Sequence, residues 1–152
     1  MKLIFCIKRL ENIPGGAERI LCAVASHLAM NGHEVIVVTF DKIGAIPFYE
    51  VHESIEVINL GVGNSAKPSQ GFETALRIWS LRRLLLALNP DAVIGFSHSM
   101  FLLLALTCIR HRFALVGSEH IVPDHYRSRP IQRALYWLLA PLIDAITVIS
   151  DD

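Results

Sequence analysis

With 152 residues and no formal net charge, the chain is long enough for one domain with a sizeable core and gives no bulk electrostatic reason to bind nucleic acid. Hydrophobic residues make up 53% and charged ones 18%, which excludes a disordered segment. Cys6, Cys22 and Cys108 lie in apolar contexts without metal-like spacing, so reduced core thiols of a cytosolic protein are expected. His98, His111 and His125 show no ligand spacing either, and no metal is expected.

The first apolar run, Leu3 to Ile7, is followed by Lys8 and Arg9 rather than preceded by them, unlike a signal peptide. Its near-continuous apolar character predicts a strand buried on both faces of a parallel sheet. Pro14-Gly15-Gly16-Ala17-Glu18-Arg19 then opens a helix with an apolar stripe at Ile20, Leu21, Val24, Ala25 and Leu28, ended by Asn31-Gly32. Two glycines at a strand-to-helix junction let backbone come close to a ligand. The helix aims unpaired amides and a positive dipole end at that place, which favours an anion such as phosphate. Glu18 in the first turn suits the dipole with or without a ligand. His33 belongs to the turn.

Glu34 to Thr39 is the second strand, Asp41 to Ser54 a loop, and Ile55 to Leu60 a third strand. Gly61 to Gly71, rich in Gly, Ser, Asn and Pro, predicts a mobile surface loop. Phe72 to Asn89 is a helix with a core stripe of Ile78, Leu81, Leu84, Leu85 and Leu88, closed by Asn89-Pro90. Its other face places Leu76, Trp79 and Leu86 beside Arg82 and Arg83, which suits a neighbouring helix, another protein or a membrane surface better than water. Met100 to Ile109 is too short to span a bilayer.

Asp91 to Phe96 is a fourth strand, Ser99 to Ile109 a helix, and Ala114 to Ser118 a fifth strand running into Glu119-His120. Ser128 with Pro130 starts a last helix carrying Ile131, Ala134, Leu135, Leu138 and Leu139 inward to Pro141, before a strand from Asp144 to Ser150. Strands and helices alternate throughout. That predicts an α/β, Rossmann-like, doubly wound parallel sheet of six or more strands with helices on both faces. Ligands in such sheets bind beyond the carboxyl ends of the strands. The rule gathers the Gly15-Gly16 loop, Ser97-His98-Ser99 and Glu119-His120 along one rim. A sequence that stops on a strand, without a covering helix, is expected to be one half of something larger.

Pro14-Gly15-Gly16-Ala17-Glu18-Arg19, Asn31-Gly32-His33-Glu34-Val35, Asn89-Pro90-Asp91, Ser118-Glu119-His120 and Ala145-Ile146-Thr147-Val148-Ile149-Ser150 occur in this order. Together they resemble the amino-terminal domain of the retaining GT-B glycosyltransferases of family 4, over essentially residues 1–152. The resemblance implies an acceptor-binding half whose carboxyl-terminal, nucleotide-sugar-binding partner domain is absent from these residues, so that they are inactive alone. It implies no cofactor beyond a UDP- or GDP-sugar co-substrate. The acceptor would be a glycan or polyprenyl-linked oligosaccharide of bacterial cell-surface polysaccharide synthesis, which makes the protein cytoplasmic, with peripheral contact at the inner face of the plasma membrane. By the family pattern, Gly15 and Gly16 approach the donor diphosphate and His120 lies near the transferred sugar as the catalytic candidate. Glu18, His98 and Glu119 are further substrate-binding candidates on the rim.

Two other readings share parts of this pattern. A dinucleotide-dependent oxidoreductase domain has the same alternation, but the first loop lacks Gly-x-Gly-x-x-Gly and Asp41 is only a weak match to a ribose-binding acid. A non-catalytic subunit anchoring a catalytic partner at the membrane would use the Trp79 face.

Overall fold

A computed structural model describes residues 1–66, 71–109, 113–119, 134 and 137–148. The elements are β1 (Lys2–Cys6), α1 (Gly16–Met30), β2 (Glu34–Thr39), β3 (Glu56–Asn59), α2 (Gly71–Leu88), β4 (Ala92–Phe96), α3 (His98–Thr107), β5 (Ala114–Glu119) and β6 (Ala145–Val148). The six strands form one sheet in the order β3-β2-β1-β4-β5-β6, and every pairing is parallel. From β1 the chain builds outward to β2 and β3, then returns through α2 to lay β4 on the other side of β1. The reversal leaves a crevice at the carboxyl ends of β1 and β4, where a doubly wound sheet takes its ligands.

Alternate side chains of each strand feed two cores, because successive residues of a strand point to opposite faces. Ile4, Cys6, Ile36, Val38 and Val93 pack beneath α2 and α3, against Leu81, Leu85, Phe101 and Leu104. Leu3, Phe5, Val35 and Val37 pack beneath α1, against Leu21, Cys22 and Ala25. The helices thus cover both faces, as the alternation predicted.

Helix ends follow their stop signals. At the end of α1, Gly32 takes φ 83° and its amide donates to the Ala29 carbonyl, while the His33 amide donates to that of Leu28. This is a Schellman cap, which needs a left-handed residue and places His33 in the turn. At the end of α2, Asn89 takes φ 45° ahead of Pro90.

The buried faces of the helices differ in part from the expected stripes. Ile20 and Val24, expected in the core stripe of α1, are exposed, and the buried line is Leu21, Cys22 and Ala25. The apolar arc is wider than the contact with the sheet, and periodicity does not say which edge of the arc touches. Leu138 likewise faces out while Leu139 is buried. Ser128, Pro130, Ile131 and Leu135 lie outside the described residues.

Two glycines let α3 lie close on the sheet. Gly95 of β4 and Gly117 of β5 are register partners. A Cβ on Gly95 would stand 2.9 Å from the Phe101 Cα and 2.7 Å from Leu104 Cδ1, and one on Gly117 would stand 3.1 Å from Phe101 Cγ. Phe101 occupies the space that side chains would take, with its Cα over Gly95 and its side chain over Gly117. All three cysteines are free. Burial pushes the Cys22 thiol up to about 11 and that of Cys108 to about 12, so both stay protonated and poorly nucleophilic at neutral pH.

Candidate functional site

The β1–α1 connection runs across the rim of the crevice. Gly15 is the N-cap of α1 with extended backbone (φ −90°, ψ 157°) and no side-chain cap bond. An N-cap normally offers a side-chain oxygen to the first orphan amides; glycine cannot. The Glu18 carboxylate folds back to occupy the place where a Gly15 side chain would begin, so it acts as the helix's own first-turn anion. Gly16 is exposed, and a Cβ built on it meets nothing within 4 Å. Neither space nor a left-handed backbone requires glycine there.

A buried carboxylate anchors this connection. Asp41, which follows β2, is 1% exposed. Its Oδ2 accepts the amides of Leu10 (2.6 Å) and Glu11 (3.1 Å), and its Oδ1 accepts the Ser65 hydroxyl (2.9 Å). Arg9 Nε lies 3.9 Å from the same carboxylate, and the Asp41 amide donates to Thr39 Oγ1 at 3.0 Å. The loops after β1, β2 and β3 are therefore tied at one point. The acid that a dinucleotide-binding domain would turn toward a ribose is taken up here by the chain's own backbone.

Arg77 of α2 is a second tie, buried to 2% exposure. Its guanidinium donates to the carbonyls of Val62 and Asn64 and to the Glu73 carboxylate at 2.6 Å, and it stacks 4.8 Å over the Phe40 ring. Glu73 in turn accepts the Asn64 amide. Residues 61–66, read from sequence as part of a mobile loop, are thus clamped between Asp41 and the Arg77–Glu73 pair; the rest of that loop, residues 67–70, lies outside the described residues. Lys8 stands close by at the end of β1. Burial, helped by the Arg77 charge and opposed by Glu73, pulls its ammonium below the ordinary lysine range.

Sequence reasoning missed the burial of Arg77, whose only sequence signal is the Glu73 four residues before it on the same helix. Asp41 was visible only as a weak ribose match.

On the other side of the crevice, Ser97 links β4 to α3 with φ 75° and ψ 150°, a conformation almost reserved for glycine. Such a residue costs about 1–3 kcal/mol and persists only where its surroundings hold it. Its amide donates to the Ser118 carbonyl and its carbonyl accepts from Met100 and Phe101. His98 opens α3 on this rim, and Glu119 ends β5, the next strand along. Gly15, Gly16, Glu18, His98 and Glu119 all lie at the carboxyl ends of the adjacent strands β1, β4 and β5 or on the helices that follow β1 and β4. His120, the catalytic candidate, lies outside the described residues.

The rim also has an apolar lip. Ile43, Ile46 and Phe48 in the loop after β2 are exposed. Hydrogen bonds from the Phe48 amide to the Leu10 carbonyl and from Asn59 Nδ2 to the Ala45 carbonyl hold that loop at the strand ends.

A family model described as Glycosyltransferase Family 4 matches residues 14–152. No curated protein matches. Among solved structures, sucrose-phosphate synthase from Thermosynechococcus elongatus matches with a TM-score of 0.75 and 11% identity, over 98% of this chain and 42% of that one. MurG from Acinetobacter baumannii matches with a TM-score of 0.63 and 15% identity, over 99% of this chain and 42% of that one. HepE from Anabaena, in complex with UDP, matches with a TM-score of 0.54 and 20% identity, over 100% of this chain and 38% of that one. At such identities the likeness carries the fold. The chain spans between 38% and 42% of the length of these three proteins.

Proposed function

We propose that this chain, which belongs to Glycosyltransferase Family 4 and has the fold of the amino-terminal domain of a GT-B enzyme, is the acceptor-binding half of a retaining sugar transferase. The donor is a UDP- or GDP-sugar held mainly by a second domain outside these residues, and the UDP in the HepE structure supports a nucleotide of this class. The acceptor is a glycan or a polyprenyl-linked oligosaccharide, presented at the cytoplasmic face of a membrane during bacterial cell-surface polysaccharide synthesis. The apolar lip of Ile43, Ile46 and Phe48 favours an acceptor with a hydrocarbon part.

The observation that carries the reading is Gly16, an exposed glycine at an uncapped helix N-terminus with empty space where its side chain would be. A residue this bare makes sense where a ligand needs the space. With Gly15 and Gly16 against the departing diphosphate, the α1 amides and dipole offset the negative charge that grows as the glycosidic bond to the nucleotide breaks. Preorganised donors of this kind often lower a reaction barrier more than any other group in the site. Glu18 has to yield its place at the helix mouth or accept a substrate hydroxyl. By the family pattern His120 is the catalytic candidate for the transferred sugar, and His98 and Glu119 are the candidates for binding the acceptor.

The test is donor turnover by the full-length protein, with UDP- and GDP-sugars offered alongside glycan and polyprenyl-phosphate acceptors. Consumption of one donor only when an acceptor is present supports the reading. A protein that neither binds nor consumes any nucleotide-sugar overturns it. In the active protein, His120→Ala is expected to lower kcat by about 10²-fold or more, the usual weight of a positioned acid–base or hydrogen-bonding group. A kcat unchanged in that variant would remove His120 from the mechanism.

A further inference from the structure

We infer that the outer face of α2 is a docking surface for an anionic lipid bilayer. Phe72, Leu76, Trp79, Arg83 and Leu86 follow one another at helical spacing, and all are exposed, Trp79 at 59% and Phe72 at 79%. The remaining charged groups of the helix are turned away. Arg77 is buried against Glu73, and Arg82 donates to the Thr107 carbonyl at 2.8 Å. The exposed face therefore carries one cation and no carboxylate, and that cation lies over an aromatic ring, with Arg83 Cζ 5.6 Å from the Trp79 centroid. The Arg82–Thr107 bond brings the end of α3 alongside, where Leu106 and Ile109 are exposed.

The position of the helix decides among occupants. α2 starts at the rim, after β3, and runs down the flank of the sheet until its Leu88 carbonyl meets Lys2 Nζ at the start of β1. Only the Phe72 end of this face lies at the rim; Trp79, Arg83 and Leu86 lie along the flank. A second copy of this chain has too little to hold: about 15 residues at 1.5 Å rise give a face about 22 Å long. Even two helices wide, that is about 400 Å² a side, half of what a stable specific interface needs. A bilayer needs less. Tryptophan and arginine over an aliphatic stripe suit the headgroup boundary, where the ring and the leucines enter and the guanidinium meets lipid phosphate.

The inference deepens the proposed function by naming the surface that meets the membrane, and its test reads binding rather than transfer. The full-length protein is sedimented with vesicles of phosphatidylcholine alone and of phosphatidylcholine mixed with phosphatidylglycerol. Transfer to a soluble acceptor is assayed separately. Binding to the anionic vesicles is expected, and Trp79→Glu and Arg83→Glu should each weaken it at least about tenfold while leaving thermal melting and soluble transfer unchanged. Both side chains are exposed, so either variant serves if the other fails to fold. Failure of the wild type to sediment, equal sedimentation with neutral vesicles, unchanged binding by the folded variants, or a dimer abolished by Trp79→Glu would each overturn the inference. Transfer activity that survives any of these outcomes leaves the reading of the rim intact.

Discussion

Alanine at Gly95 is expected to lower stability by about 3 kcal/mol, at the upper end of what overpacking a core costs. The reason is the partner. The new Cβ would stand 2.9 Å from the Phe101 Cα, and a backbone atom in the middle of α3 cannot step aside as a side chain can. Relief requires lifting the helix from the sheet, which opens the core around Met100, Leu104 and Leu115. In a chain of this size the melting temperature should fall by about 6–12 °C, since each kcal/mol is worth about 2–4 °C. At the neighbouring Gly117→Ala the nearest atoms all belong to the Phe101 side chain, from 3.1 Å outward. This substitution should cost about 1 kcal/mol, because the ring can give by a few tenths of an ångström. Thermal melting of both variants checks the pair. Loss of the Gly95→Ala penalty when glycine and alanine at this position are compared in a Leu104→Ala background would show that the conflict lies with the leucine and not with the helix backbone.

Asp41→Ala should be nearly as damaging, for a different reason. It leaves the amides of Leu10 and Glu11 and the Ser65 hydroxyl without their acceptor. A buried donor stripped of its partner costs about 1–3 kcal/mol. Leu10 is fully buried, whereas Glu11 and Ser65 can partly rehydrate, so a total of about 3 kcal/mol is expected. Asp41→Asn separates hydrogen bonding from charge. One amide oxygen at the Oδ2 position still accepts from both Leu10 and Glu11, and the NH₂ group can donate to Ser65, so the loss should shrink to about 1 kcal/mol. Urea unfolding of both variants measures the difference. Because the same carboxylate holds the connection that leads to Gly15 and Gly16, the alanine variant should also lose transfer activity under conditions where it remains folded.

The layout of the molecule was legible because buried parallel strands are near-continuous apolar runs and helix ends carry chemical signals. Leu3 to Ile7 and Glu34 to Thr39 could be read as strands, and Asn31-Gly32 and Asn89-Pro90 as stops, from local sequence alone. The rim followed from topology: once strands and helices alternate, their carboxyl ends must share an edge, which placed Gly15, His98 and Glu119 near one another without any contact being known. What stayed hidden depends on partners distant in sequence. The need for glycine at 95 comes from its register with Gly117 and from the depth at which Phe101 sits, and neither is written near it. The burial of Arg77 has no local signature because its carbonyl acceptors lie in a loop 13 and 15 residues away. Asp41 sits where an NAD-binding acid would sit, and only the geometry shows that Leu10, Glu11 and Ser65 already use it. The Ile20 and Val24 edge of α1 was misplaced because a broad apolar arc has two possible centres.

The most direct test of the account is Gly16→Ala in the full-length protein, with stability and sugar transfer measured on the same sample. The new methyl group meets nothing within 4 Å, and alanine near the start of a helix is at least as favourable as glycine. Melting should therefore be unchanged or slightly raised, while transfer from the nucleotide-sugar falls at least about tenfold, or about 1.4 kcal/mol of transition-state stabilisation. Full activity in the stable variant would contradict the account, because it would leave the empty space above Gly16 without a ligand to fill it.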